Sequence, residues 1–259
     1  MESQNTPRIV NINDIHQEIA NLFKRYNYPF LTLEFEMAHL KAWARTQAIR
    51  LDININHFVD TISNLFWAIA HAQSELGYSL IARQAVTNPK GETLTTYDIN
   101  TSLDFKIPDL YFWHHNYLLT ECLYRCWERL TYLLQIVFLS NINEKDTYLN
   151  NLIDELAKNS IHRANPKMNA LKKLINYRQD VAKERNDLSH ENSSPMKEIS
   201  VEVKPLFGLK LTGSPKYTVS YKYSSVIKII EKQKSRYIKI GEALKTIMDF
   251  TENTNPIKL

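Results

Sequence analysis

The sequence predicts an all-α protein: an antiparallel helical bundle with an N-terminal helical extension and a small β-hairpin or extended insertion before its last helix. Three observations carry this expectation. Apolar residues recur with the 3.6-residue period through seven stretches. Only five glycines occur in 259 residues, too few for a sandwich, a barrel or a glycine-rich phosphate loop. A composition of 44% hydrophobic and 23% charged residues suits a chain that buries a full core.

The stretches lie at 13–25, 34–50, 57–86, 109–139, 144–158, 166–190 and 223–250. The third follows Asn56 and carries Phe58, Ile62, Leu65, Ile69, Ala72, Leu76 and Leu80 on one face. The fourth begins after Pro108 and is apolar nearly all round, from Leu110, Trp113 and Tyr117 to Leu134 and Phe138, which predicts a central, buried helix. Asn165-Pro166 signals the start of the sixth, with proline in its first turn. The seventh carries Val226, Ile229, Ile230, Tyr237, Ile240, Leu244 and Ile247 on one stripe.

Two regions break the periodicity. Residues 87–108 are polar and turn-rich, as expected of a long loop. Residues 199–222 alternate weakly, as in ISVEV and YTVSYKY, around Pro205, Gly208, Gly213 and Pro215, which gives the expected insertion. The natural division is an N-terminal helical region, 1–107, packed on a helical bundle, 108–259.

Composition excludes several classes. The first residues lack the basic region and apolar run of a secretory signal, and no stretch approaches the length of an apolar membrane span. A cytoplasmic protein is therefore expected. Cys122 and Cys126 are spaced CxxxC in an apolar helix, which suits packing better than a redox pair or a zinc site. Phosphate-loop, nucleophile-elbow, zincin and dinucleotide fingerprints are missing from the sequence. His114-His115 point about 100° apart on a helix and make a poor metal pair. No cofactor or metal is expected.

The net charge of +4 is concentrated. Between Arg163 and Arg185 stand seven basic residues, Lys172 and Lys183 among them, against Asp180 and Glu184. Such a stripe is a solvated helix face or a nucleic-acid footprint.

At the end of this segment stands Arg185-Asn186-Asp187-Leu188-Ser189-His190. An arginine with a histidine after four to six residues is weak as a spacing. With eleven arginines and eight histidines, chance supplies about one match, and Arg50 to His57 is a second. Position on the helix discriminates better. Leu171, Leu174, Ile175, Val181, Ala182 and Leu188 define the apolar arc, and Arg178 and Arg185 fall in its middle. Arginine in an apolar seam needs a partner. Either it pairs with Glu121 or Glu128 of the fourth helix, or the seam faces a second copy and gathers arginines around a phosphate-binding cleft. His190 stacks over Asn186 at i, i+4; the plainer reading is a histidine favoured by the helix dipole in a last turn.

These residues resemble the signature of the HEPN superfamily (higher eukaryotes and prokaryotes nucleotide-binding), and ECLYRCWERLTYLL is similar to its preceding core helix. The resemblance covers roughly 109–190. It implies Arg185 and His190 as catalytic, Asn186 as their polar neighbour, and Glu121 and Arg125 as supporting residues; Arg178 in the same seam is expected to support the site, and Lys172 and Lys183 of the basic segment to contact RNA. It also implies a homodimer with a composite cleft and metal-independent endoribonuclease activity in prokaryotic defence or a toxin–antitoxin system, with a cognate antitoxin or defence partner. Some members of the superfamily are catalytically silent and bind nucleotide, RNA or a protein instead. The chemistry fits the residues: His190 is a base or acid near neutrality, and Arg185 can hold phosphorane oxygens without losing its charge.

Overall fold

The computed structural model describes residues 12–86, 90, 93–96, 107–138, 148–190, 196–204, 216–223 and 225–254. Among them the chain forms nine helices: α1 (Ile12–Arg25), α2 (Leu31–Glu34), α3 (Met37–Leu51), α4 (Ile55–Arg83), α5 (Ile107–Phe138), α6 (Leu149–Lys158), α7 (Ser160–Arg163), α8 (Met168–His190) and α9 (Val226–Glu252). No described helix is long and apolar enough to cross a membrane.

The bundle is built on α5, which packs lengthwise on α4 and also meets α6, α8 and α9. Every position of the α4 stripe from Phe58 to Leu80 is buried, because the 3.6-residue spacing turns each toward α5. From α5, Leu119, Leu123, Trp127, Leu130 and Leu134 fill the same core, and Tyr237, Ile240, Leu244 and Ile247 close it from α9. Leu110 and Tyr111 are exceptions near the start of α5, 55% and 56% exposed. Caps mark the helix ends. Asn54 accepts from the His57 amide at 3.2 Å to start α4, and Ser225 accepts from Lys228 at 3.4 Å to start α9. Asp52 ends α3 in the left-handed region (φ 56°), which its short polar side chain tolerates.

Three elements differ from the sequence expectation. The helix expected at 34–50 begins at Met37 and runs to Leu51, because Glu36 is extended (ψ 134°) and splits it from the short α2 before it. The split lets Leu31 dock on α9, where a β-carbon at Gly241 would lie 2.7 Å from Leu31 Cδ2. The Tyr237 hydroxyl then accepts from the Leu31 amide at 3.3 Å and donates to Gln73 at 2.9 Å, tying α2, α4 and α9 together. The helix expected from Pro166 begins at Met168. Asn165 instead forms a turn, accepting from the Lys167 amide at 2.9 Å and donating to the Phe250 carbonyl at 3.0 Å.

Within the stretch expected to be loop, β1 (Thr93–Thr96) pairs antiparallel with β3 (Lys216–Tyr223), which pairs antiparallel with β2 (Met196–Lys204). The sheet order is β1-β3-β2, with Thr95 opposite Ser220 and Val201 opposite Val219. The part of the fifth expected helix before Tyr148 lies outside the described residues.

Candidate functional site

Helix α8 buries Met168, Leu171, Leu174 and Val181 against its neighbours, and Arg178 and Arg185 occupy the same arc. The side chain of Arg185 is 38% exposed and that of Glu121 20%. Arg185 Nε donates to Glu121 Oε1 at 3.1 Å, and its guanidinium lies 5.2 Å from the centre of the Tyr124 ring. Of the two carboxylates available on α5, Glu121 is therefore the one engaged; Glu128 is exposed. Arg178 takes neither. Its guanidinium lies 5.9 Å from Tyr124 and 5.9 Å from Tyr148, and its buried Nε has no hydrogen-bond partner among the described residues. Tyr124 thus links the two arginines, two helical turns apart.

The remaining motif residues lie elsewhere on the helix. Asn186 is exposed. At 100° per residue, Lys172, Gln179, Lys183, Asn186 and position 190 share a stripe about 60° wide. Lys172, Gln179, Lys183 and Asn186 are all exposed along it. His190 is the last residue of α8, and its side chain lies outside the described residues. Arg125 is exposed one turn beyond Glu121. The structure therefore joins Arg185, Glu121, Tyr124 and Arg178 in one cluster, while Asn186 lies about 100° and Lys172 and Lys183 about 140–160° around the helix from Arg185, on an exposed stripe.

The competing spacing match serves a different purpose. Arg50 Nε donates to Gln47 at 2.7 Å, and its two terminal nitrogens donate to the carbonyls of Thr254 and Thr251. A guanidinium at the carboxyl end of α9 supplies donors to backbone carbonyls where the helical ladder runs out, Thr251 also accepting from the Thr254 amide at 3.2 Å. His57 meets the Tyr132 hydroxyl at 3.2 Å through Nε2. His115 holds Glu75 at 2.7 Å through Nδ1 and stacks on Tyr78 at 5.0 Å. Among the described residues no group of three or more histidines, cysteines or acids could hold a metal ion.

A second ionic cluster joins α8 to α9. Arg236, 4% exposed, donates from Nε to Asp180 at 2.6 Å and from Nη2 to Glu184 at 3.2 Å and to the Asp180 carbonyl at 3.0 Å. Lys232 adds a second bond to Glu184. The Arg236 hydrogen bond holds the Asp180 carboxyl below its ordinary range. Burial pushes Glu184 upward, but the Lys232 hydrogen bond and the nearby Arg236 charge outweigh it and the net shift is downward. Gln233 extends the cluster into the core, donating to Asn116 at 3.1 Å and Thr120 at 2.8 Å. One signal for it stood in the sequence: Gln233 occupies a buried position in the stripe of α9 between Ile230 and Tyr237.

Cys122 and Cys126 are free thiols packed in α5. Burial pushes Cys122 up to about 11 and Cys126 higher still, so neither is a ready nucleophile. No family model matches the chain, and no curated protein or solved structure matches it either.

Proposed function

We propose that this chain is a homodimeric, metal-independent endoribonuclease of HEPN type. The observation that carries the reading is the placement of Arg185. It sits in the seam of a basic helix, half-exposed, with its guanidinium held by Glu121 and the Tyr124 ring. A planar cation steadied in this way suits the developing charge of a phosphorane. Asn186 is its neighbour in sequence, and His190 follows at the helix end. In the proposed reaction a histidine removes the ribose 2′-OH proton, the oxygen attacks the adjacent phosphorus, and the 5′-oxygen leaves with a proton from a second histidine. The products are a 2′,3′-cyclic phosphate and a 5′-hydroxyl. Two copies of the chain supply the two histidines, with Lys172 and Lys183 drawing RNA toward the cleft. The expected setting is prokaryotic defence or a toxin–antitoxin pair, with an antitoxin or defence protein as partner, in the cytoplasm; it rests on the family resemblance alone.

One observation favours a different reading. The Arg185–Glu121 pair is also what a structural arginine in a seam would form. In that reading the chain is a catalytically inactive module that binds a nucleotide, RNA or a protein.

The test incubates the purified protein with total RNA in excess EDTA and maps the cut ends. Cleavage leaving cyclic phosphates, lost in both Arg185→Ala and His190→Ala while circular dichroism is unchanged, supports the enzyme. Wild-type protein that cuts no RNA, infected-cell extracts included, leaves the binding module. A monomer by sedimentation refutes the composite cleft.

A further inference from the structure

Beside the Arg185–Glu121 pair lies a second feature for which the packing supplies no need. Tyr148, the N-cap of α6, makes no side-chain cap hydrogen bond and is 61% exposed. Its ring is backed by the Arg178 guanidinium at 5.9 Å, and the same guanidinium faces Tyr124, which faces Arg185 at 5.2 Å. Rings and guanidiniums therefore alternate from Tyr148 through Arg178 and Tyr124 to Arg185, and the Tyr148 end of this ladder opens to water.

An arginine that served only to fill the seam would be expected to spend its donors. Arg178 leaves its buried Nε without a hydrogen-bond partner among the described residues. An exposed ring supported by a cation is a stacking platform for a nucleobase, and every base has a face that it can accept. The guanidinium behind it is a phosphate ligand of fixed charge. Arg178 and Arg185 are seven residues apart, about 10.5 Å along the helix. An extended single strand crosses that span within a couple of nucleotides.

We propose that Tyr148 and Arg178 form a nucleotide subsite next to the Arg185 motif, Tyr148 stacking on an unpaired base and Arg178 holding the adjoining phosphate of single-stranded RNA. The ladder offers a ring face and a charge in place of hydrogen bonds to base edges, so the subsite is tolerant of sequence and selects unpaired strands. This deepens the ribonuclease reading and rests on it for the direction in which the RNA runs.

The test measures anisotropy of short fluorescent RNAs on the full-length protein carrying His190→Ala, in EDTA, across a salt series. Adding Tyr148→Ala should weaken single-strand binding by about five- to a hundredfold, whereas Tyr148→Trp should retain it. Adding Arg178→Ala should lower the slope of log affinity against log salt by about 0.7, and Tyr148→Ala should leave that slope alone. A structural role for either residue would move the melting temperature and not the slope. If single strands bind equally well with and without the Tyr148 ring, the subsite is refuted, even where wild-type protein cleaves RNA. Ring-dependent binding without cleavage by wild-type protein would keep the subsite and remove the enzyme. No binding of any RNA would remove both.

Discussion

Arg236 and Arg185 both anchor α8 to a neighbouring helix through carboxylates, yet their removal should have opposite consequences. Methionine at either position keeps much of the buried alkyl length and deletes the guanidinium. At Arg236 the loss is four hydrogen bonds from a side chain that is 4% exposed, two of them to carboxylates, one to a backbone carbonyl and a long one to Gln233. Breaking a fully buried pair costs about 3–5 kcal/mol. The penalty here is softened, since Asp180 is 52% exposed and rehydrates and Glu184 keeps Lys232. A cost of about 3 kcal/mol follows, which lowers the melting temperature by about 6–12 °C for a chain of this size. At Arg185 the pair is 38% and 20% exposed, worth at most about 1 kcal/mol, and methionine still covers the Tyr124 ring. Its melting shift should be about 2–4 °C. Cleavage separates them in the other direction. Arg236→Met should cut RNA at room temperature in proportion to its folded fraction, whereas Arg185→Met should lose about a hundredfold or more. Thermal melts followed by far-UV circular dichroism, with cleavage on the same samples, give both numbers. If Arg185→Met melts as low as Arg236→Met, Arg185 is a structural anchor and the catalytic reading of its position is wrong.

Arg50→Ala should lower stability by about 1–3 kcal/mol, because it removes one donor from each of the Thr254 and Thr251 carbonyls, of which Thr251 still accepts from the Thr254 amide, while cleavage by the folded fraction is unchanged; activity lost by Arg50→Ala or His57→Ala on an intact fold would place the reactive pair at Arg50 and His57 instead. His162 is buried and burial lowers its pKa below 6.5, so the unfolded chain takes up the proton first as pH falls. Stability should then be full above about 6.5 and decline as pH drops toward the folded-state value, and urea midpoints of His162→Gln should lack that decline. Cys122, with its thiol pushed up to about 11, should resist alkylation in the native protein and react once urea unfolds it; labelling at the rate of a free thiol would contradict the burial of α5.

The long helices were legible because their cores repeat with one period. The α4 stripe from Phe58 to Leu80 needed no knowledge of its partner. The break between α2 and α3 was not legible. Phe35-Glu36 contains no helix breaker, and the turn there is set by Leu31 reaching Gly241, a contact more than two hundred residues away. Strand β1 was hidden for the same reason: Thr93–Thr96 becomes a strand by pairing with β3, far along the chain. At the candidate site, two arginines on an apolar arc announced that partners were required. The choice between Glu121 and Glu128 depended on the offset of α5 against α8, which no local pattern encodes. Asp180 and Glu184 looked like ordinary charges on a basic helix, and only the packing of α9 turned them into partners of Arg236.

Where the guanidinium donors go sorts the arginines better than spacing does. Arg50 spends all three nitrogens on Gln47 and the last carbonyls of α9, so nothing about it is poised for a substrate despite a matching histidine. Arg236 is enclosed, with its donors on carboxylates, a backbone carbonyl and Gln233. Arg185 differs from both in being held while partly exposed. A carboxylate fixes Nε from one side, a tyrosine face fixes the plane, and the side chain still meets solvent. An arginine that binds a transition state must pay its ordering entropy before the substrate arrives, and must keep a solvent edge for the substrate to replace. Arg185 alone of the three combines the two conditions. The same logic extends to Arg178, ordered by two rings instead of a carboxylate, and it is why the pair, two turns apart on one helix, is a better guide to the proposed RNA path than the motif by itself.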